Sequence, residues 1–312
     1  MSLGFLKLNW YGVAMRKVIK RIPGAIFVYT QVRRFMMRTD PNPTHQQLQR
    51  IIVNQYKDSL ERGITSYEKI GEAGFRCYSQ FEEDGIILYV LSMIGMKTKR
   101  VVELSCGDGT ECMSTNLILN HGYSGFLFEG NPKRASKALK FFAAQKDCIA
   151  NIPIIQQTWV TRENINNLLL EIGAVGEVDL LSLDIDGNDY WIWEAITEIS
   201  PRLCVFETHN LIPGDLSLSI PYEPNFNAWI KDGDEQYFRS ASLLAMKKLS
   251  ESKGYRMIGA HKHGFNVFFL RNDIAPEIFP EVSIQAIHDN PTTINGQRDM
   301  WPRIKDYPWL EV

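Results

Sequence analysis

Residues 100–271 predict a doubly wound α/β fold: a mostly parallel sheet that ends in an antiparallel hairpin. Three observations carry this. Short apolar runs alternate with amphipathic stretches five times over, the pattern of strand–helix–strand crossovers. The first run, Val101-Val102-Glu103-Leu104, enters a turn, Ser105-Cys106-Gly107-Asp108-Gly109, with two glycines one residue apart. The last two runs, Tyr255–Ala260 and Phe265–Arg271, are separated only by a short turn around Lys262-His263-Gly264, and strands joined so tightly must be antiparallel.

The elements follow in order. Ser79-Gln80-Phe81-Glu82 is a capping-box pattern, and Ile87, Leu88, Leu91 and Ile94 mark the buried face of the helix expected after it. A strand over 100–105, a short helix near 112–120 and a strand over 125–129 come next. Asn131-Pro132 is a helix entry, a cap followed by proline at the first position. Further strands are expected near 152–157, 178–184 and 203–207. Thr161 caps a helix between the first two of these, and Trp191, Ala195 and Ile199 line one between the last two. A helix near 239–252 stops at Gly254. Residues 1–75 read as a basic helical N-terminal extension, 76–272 as the main domain, and 273–312, with five prolines, as an irregular tail packed on it, anchored by Trp301 and Trp309.

The chain has 312 residues, 45% hydrophobic and 22% charged, enough for a sizeable core. Net charge is −2 but unevenly spread: residues 1–39 hold eight basic residues and no acid, leaving 26 basic against 36 acidic residues in the rest. The body therefore offers no electrostatic case for nucleic-acid binding. The basic arm suits an anionic membrane surface or a protein partner, or else packs on the domain. Five scattered cysteines, Cys77, Cys106, Cys112, Cys148 and Cys204, argue against a disulfide framework and a zinc site. A reducing, cytoplasmic location is expected, membrane-peripheral if the arm binds lipid. No apolar run is long enough to span a bilayer.

The glycine turn matters because backbone can approach a ligand there. A second apolar run, Phe126-Leu127-Phe128, ends in Glu129 about twenty residues after the turn, the spacing at which a carboxylate meets the ribose of a nucleoside-bearing cofactor. A second group of polar residues gathers at the ends of the fourth and fifth strands: Asp184, Asp186, Glu207 and His209. Ligands bind outside the carboxyl ends of such strands.

A parallel sheet finished by a hairpin is the Rossmann-like arrangement of class I S-adenosylmethionine-dependent methyltransferases, and the chain resembles the FkbM-like family among them. The resemblance rests on Tyr78-Ser79-Gln80-Phe81-Glu82-Glu83-Asp84-Gly85-Ile86-Ile87, on Ser182-Leu183-Asp184-Ile185-Asp186-Gly187-Asn188-Asp189-Tyr190-Trp191-Ile192-Trp193, and on Thr161–Asn166 and Pro221-Tyr222-Glu223-Pro224. It covers roughly residues 78–272. It implies methyl transfer from S-adenosylmethionine to a hydroxyl of a sugar, another small molecule or a glycan. The chain departs from the family at Ser105, where a glycine is usual, at Thr208-His209-Asn210, and at Arg239, where a glycine is usual.

On that resemblance the cofactor would lie against Ser105, Gly107 and Gly109, with Glu103 near its ammonium, Glu129 on its ribose, and Gln80 and Asp184 at its methionine end. Glu83 and Asp84 either close over the same end or sit at a helix N-terminus. Asp184, Glu207 and His209 would be catalytic, with Asp184 or His209 as a general base. Asp184, Asp186, Glu207 and His209 can alternatively hold a divalent metal, Mg²⁺ or Mn²⁺, that acidifies the acceptor hydroxyl. Asp186 and Asn188 can instead cap the next helix. His261 and His263 are expected in a solvated turn, Trp191 and Trp193 in the core, and 211–237 as a loop over the acceptor, with Tyr222 and Trp229 available for stacking. Two other functions remain open: a metal-dependent glycosyltransferase using Asp184-Ile185-Asp186 as a D-x-D segment, and a non-catalytic S-adenosylmethionine-binding module.

Overall fold

The computed structural model describes residues 43–64 and 67–312. The basic arm, residues 1–39, lies outside the described residues. After a helix α1 (Pro43–Glu61), the main body runs α2 (Glu83–Ile94), β1 (Arg100–Leu104), α3 (Thr115–His121), β2 (Ser124–Glu129), α4 (Pro132–Ala143), β3 (Ile154–Gln157), α5 (Ile165–Glu171), β4 (Gly176–Leu183), α6 (Asp189–Ala195) and β5 (Ile199–Glu207). A short strand β6 (Leu218–Ser219) precedes α7 (Leu243–Ser252), β7 (Tyr255–Ala260) and β8 (Asn266–Arg271).

The seven long strands form one sheet in the order β3-β2-β1-β4-β5-β8-β7. All neighbours are parallel from β3 to β5; β8 is antiparallel to both β5 and β7. This is the doubly wound sheet with a terminal hairpin expected from the sequence. The strand order reverses between β1 and β4, which opens a crevice at their carboxyl ends.

Period-2 alternation divides the core between the two faces. Val101, Leu127, Leu180 and Phe268 point to the side covered by α2, α3 and α4, against Tyr89, Ile118 and Phe142. Their chain neighbours Val102, Phe128, Leu181 and Phe269 point to the other side, against Leu169 of α5, Trp193 of α6 and Met246 of α7. Trp193 is core, as expected; Trp191 is half-buried and donates to the Ile220 carbonyl.

Several local expectations are modified. The capping box does not form: α2 begins at Glu83, and Ser79 instead pairs with Asp84, whose Oδ2 accepts from the backbone N–H of Cys77, Tyr78 and Ser79 at 2.6–2.7 Å. A buried carboxylate offers more to three loop amides than a serine offers to one. The Asn131 cap is as expected, its Oδ1 accepting from Lys133 and Arg134 N–H. The stretch beyond 272 is more regular than its prolines suggest. It contains α8 (Ile284–His288), α9 (Pro291–Asp299) and α10 (Trp301–Ile304), with Pro at the first or second position of the last two, and a strand β9 (Leu310–Glu311) paired with β6. Trp309 packs on Phe238 and Trp301.

His261 is not solvated. Its ring is buried, Nδ1 accepts from Asn266 N–H, and burial pushes its pKa down to about 4. The hairpin turn is covered by Phe81 and Phe265, which stack against the two histidines.

The first turn of α2 touches the preceding chain backbone to backbone. A Cβ on Gly85 would lie 2.2 Å from Phe75 N and 2.4 Å from Ala73 O. Gly85→Ala is expected to lower the unfolding free energy by about 1–3 kcal/mol, the scale of forced overpacking. Urea denaturation measures it, and unchanged stability would contradict the close approach.

Candidate active site

The turn after β1 is built from both sides. Phe128 O accepts from both Ser105 N–H (3.0 Å) and Cys106 N–H (2.9 Å), tying the turn to the end of β2. Glu103 lies beneath it. One oxygen accepts from Met113 N–H at 3.0 Å; the other accepts from Ser114 N–H at 2.7 Å and the Cys112 thiol at 3.1 Å. Glu103 is buried, so its carboxylate closes the 105–114 loop from below and is not offered to a cofactor ammonium. Ser105, Gly107 and Gly109 all have positive φ (77°, 60° and 81°). Ser105 therefore holds a left-handed backbone conformation that glycine adopts without strain. A Cβ on Gly109 would meet Phe141 at 2.9 Å, so the loop lies close on α4.

Glu129 ends β2, 5% exposed. Its Oε1 accepts from Asn131 N–H at 2.7 Å, while Oε2 is buried with no partner. The cleft beside it is walled by Ser105 and Glu129, by Trp159 after β3, by Asp186 after β4, and by Phe226 and Trp229 from the 211–237 segment. It lies at the crevice between β1 and β4. Asn131, Arg134 and Asn188 also face it. Sequence reasoning missed Trp159 and Arg134 as walls, because neither belongs to a motif; the short distance from the end of β3 was the available signal.

Gln80 is exposed and does not wall this cleft. Glu83 and Asp84 are buried at the start of α2. Glu83 accepts from Asn266 Nδ2 and Phe81 N–H, so both acids hold the chain rather than face a ligand.

Asp184, Asp186 and Glu207 converge, one carboxylate oxygen from each lying within 4.8 Å of the other two. His209 does not join them. Its Nε2 donates to Tyr237 O at 2.5 Å and its ring packs on Trp309. Burial lowers its pKa to about 4, so the ring is neutral at pH 7. Asp186 does not cap α6 either. Its Oδ1 accepts from Arg239 Nη1 at 2.5 Å and its Oδ2 from Trp229 Nε1 at 2.8 Å. Asn188 occupies the N-cap position of α6, as expected, but its side chain makes no capping bond and donates instead to Glu223 O. The residue that closes this loop is Asp189, which accepts from Ile185 and Gly187 N–H at 2.9 Å each. Tyr222 donates its hydroxyl to Glu163, and the Trp191 ring meets the Tyr222 ring edge to face.

Burial, then the neighbouring Glu207, Asp186 and Asp189, hold the Asp184 carboxyl well above the usual carboxylate range. Burial and Asp186 likewise raise Glu207, opposed by Arg239. Asp184 and Glu207 bring carboxylate oxygens within 4.8 Å of each other, and both carboxyls are held above their usual range, so the buried pair keeps a proton to higher pH than a free carboxyl does.

A raised carboxyl pKa contributes stability fully present below the unfolded value near 3.9 and lost as pH climbs through the folded value. Asp184→Asn removes this titration and keeps a hydrogen-bonding group. Its melting temperature is expected to gain on that of the unsubstituted protein as pH rises from about 5 to about 9. Parallel melting curves over that range would contradict the retained proton.

No protein-family model and no curated protein matches the chain. Among solved structures it is similar to magnesium protoporphyrin IX methyltransferase (ChlM) from Synechocystis PCC 6803 with bound SAM, at 10% identity over 61% of this chain and 77% of that one, TM-score 0.38. It is also similar to the N-terminal domain of EvdMO1 with SAH bound, at 14% identity over 71% and 96%, TM-score 0.43. A third is an S-adenosylmethionine-dependent methyltransferase from Clostridium acetobutylicum, at 13% identity over 68% and 94%, TM-score 0.37. Likenesses this distant add no weight to the strand order and the cleft, on which the functional reading stands.

Proposed function

We propose that this chain is an S-adenosylmethionine-dependent methyltransferase of the FkbM-like kind, acting on a hydroxyl of a sugar, another small molecule or a glycan. The observation that carries the reading is Glu129. A buried carboxylate oxygen without a partner is costly unless a ligand supplies a donor. It stands at the end of β2, beside a positive-φ turn, in the switch-point crevice where a ribose is bound in this class of sheet.

The residues present fit the nucleoside. Glu129 would accept from its ribose hydroxyls, and the 105–109 turn would let it approach the backbone, while Trp159 and Asn131 wall the side beside α4. S-adenosylmethionine, when bound, supplies an activated methyl group on a sulfonium. The protein's task is then to hold an acceptor oxygen in line with that methyl. Transfer to a hydroxyl would also need the hydroxyl proton to be taken up. Asp184 and Glu207, which gather with the cleft-lining Asp186, would take it.

A divalent metal does not fit these residues. Both oxygens of Asp186 are engaged by Arg239 and Trp229, and His209 faces Tyr237. The same engagement counts against the glycosyltransferase reading, which needs both aspartates of Asp184-Ile185-Asp186 on a metal–nucleotide. No helix among the described residues is long and apolar enough to cross a membrane. The basic arm at 1–39 is proposed as a contact for a membrane surface or a protein.

Calorimetric titration with S-adenosylhomocysteine tests the reading. The protein is expected to bind, and Glu129→Ala to weaken binding by about 1–3 kcal/mol. No binding by the unsubstituted protein, or equal affinity in the variant, would overturn it.

A further inference from the structure

We propose that Arg239 is the resident cation of the Asp184–Asp186–Glu207 cluster, standing where a divalent metal would otherwise sit, so that the acceptor pocket works without one. The placement of the acceptor rests on the methyltransferase reading; the identity of the cation does not.

Three carboxyls that each bring one oxygen within 4.8 Å of the other two need positive charge or protons nearby. Arg239 brings the charge from just before α7. Its Nη1 lies 2.5 Å from Asp186 Oδ1 and its Nη2 4.0 Å from Glu207 Oε1. One guanidinium thus bridges the loop after β4 and the end of β5. Its plane is set by Trp229, whose ring lies 5.3 Å from the guanidinium carbon, a cation–π contact. Trp229 in turn donates its indole N–H to the other oxygen of Asp186. Arg239, Asp186 and Trp229 therefore close a ring of three contacts, each fixing the other two.

That ring engages both oxygens of Asp186 and sets a guanidinium charge beside them, which repels a metal cation. Turning the carboxylate is not a free motion. Asp186 has φ 55°, and the loop around it is held by Asp189 through the amides of Ile185 and Gly187. Mg²⁺ asks for near-octahedral oxygen ligands at about 2.0–2.1 Å. A planar guanidinium with fixed donors satisfies two carboxylates side by side and asks for no such shell. His209, the nitrogen ligand expected from the sequence, is held away by Tyr237 O. The residue where the FkbM-like family tends to have glycine is thus the one that supplies the charge.

The proposal has a direct test that does not need turnover. Full-length protein is titrated with Mn²⁺ alone and followed by electron paramagnetic resonance. The unsubstituted protein is expected to show no saturable site at about 0.1 mM Mn²⁺ or below, the range of weak carboxylate sites. Arg239→Ala is expected to gain one, at least about tenfold tighter, and the double variant Arg239→Ala/Asp186→Asn to lose it again. Arg239→Lys keeps a charge and is expected to gain none. A saturable micromolar site in the unsubstituted protein that Asp184→Asn removes would overturn the proposal, whether or not any variant folds. So would a folded Arg239→Ala, checked by circular dichroism, with no gain in Mn²⁺ binding. Titration with S-adenosylhomocysteine on the same samples separates the two readings: a protein that fails to bind it but behaves as expected toward Mn²⁺ loses the methyltransferase assignment and keeps the cation.

Discussion

Glu103 is the interaction on which the site depends. It stands one residue before the end of β1, buried, and its two oxygens gather the amides of Met113 and Ser114 and the thiol of Cys112. Without that buried acceptor, three donors in the loop after β1 would be left unpaired. The loop it holds carries Ser105, Gly107 and Gly109, whose positive φ values turn the chain back toward α4. Phe128 O secures the same turn from the β2 side. The shape of the cleft follows from these two anchors.

The same device recurs around the sheet. Asp84 gathers three amides before α2, and Asp179 accepts from the backbone N–H of Lys97, Thr98 and Lys99 while pairing with the buried Arg202. Asp189 closes the loop after β4. Charge-assisted bonds from backbone amides offset the loss of water around each carboxylate. Glu103, Asp179 and Asp189 have both oxygens engaged, and Asp84 gathers its amides on Oδ2 alone, its Oδ1 buried without a partner. Glu129 and Glu207 also each keep a buried oxygen without a partner, but they stand at the carboxyl ends of β2 and β5, where ligands bind in such sheets.

The 211–237 segment couples the two halves of the site. Phe226 and Trp229 wall the cleft beside Glu129, while Trp229 also binds Asp186. A Cβ on Gly187 would lie 2.5 Å from the Phe226 ring, so the loop after β4 fits closely beneath this segment. Its far side is fastened by residues 310–312, where β9 pairs with β6, the Ser217 hydroxyl donates to Val312 O, and Ser217 O accepts from Val312 N–H.

The strands, their direction and the Asn131 cap were legible in the sequence, because each is set by neighbours within a few residues: period-2 apolar runs, tight turns, a capping side chain. The positions of Glu129 and of the glycine turn were legible for the same reason. What each acid and imidazole contacts was not. Arg239 meets Asp186 across 53 residues, His209 meets Tyr237 across 28, and Glu83 meets Asn266 across 183. His261 looked solvated because its turn is short and polar, and is buried because Phe81 and Phe265 close over it. Local pattern decides backbone conformation, since torsion preferences and hydrogen bonds to near neighbours act over a few residues. Only the packed structure decides which charged groups lose water and which partner replaces it, since that depends on groups the chain brings together from far apart.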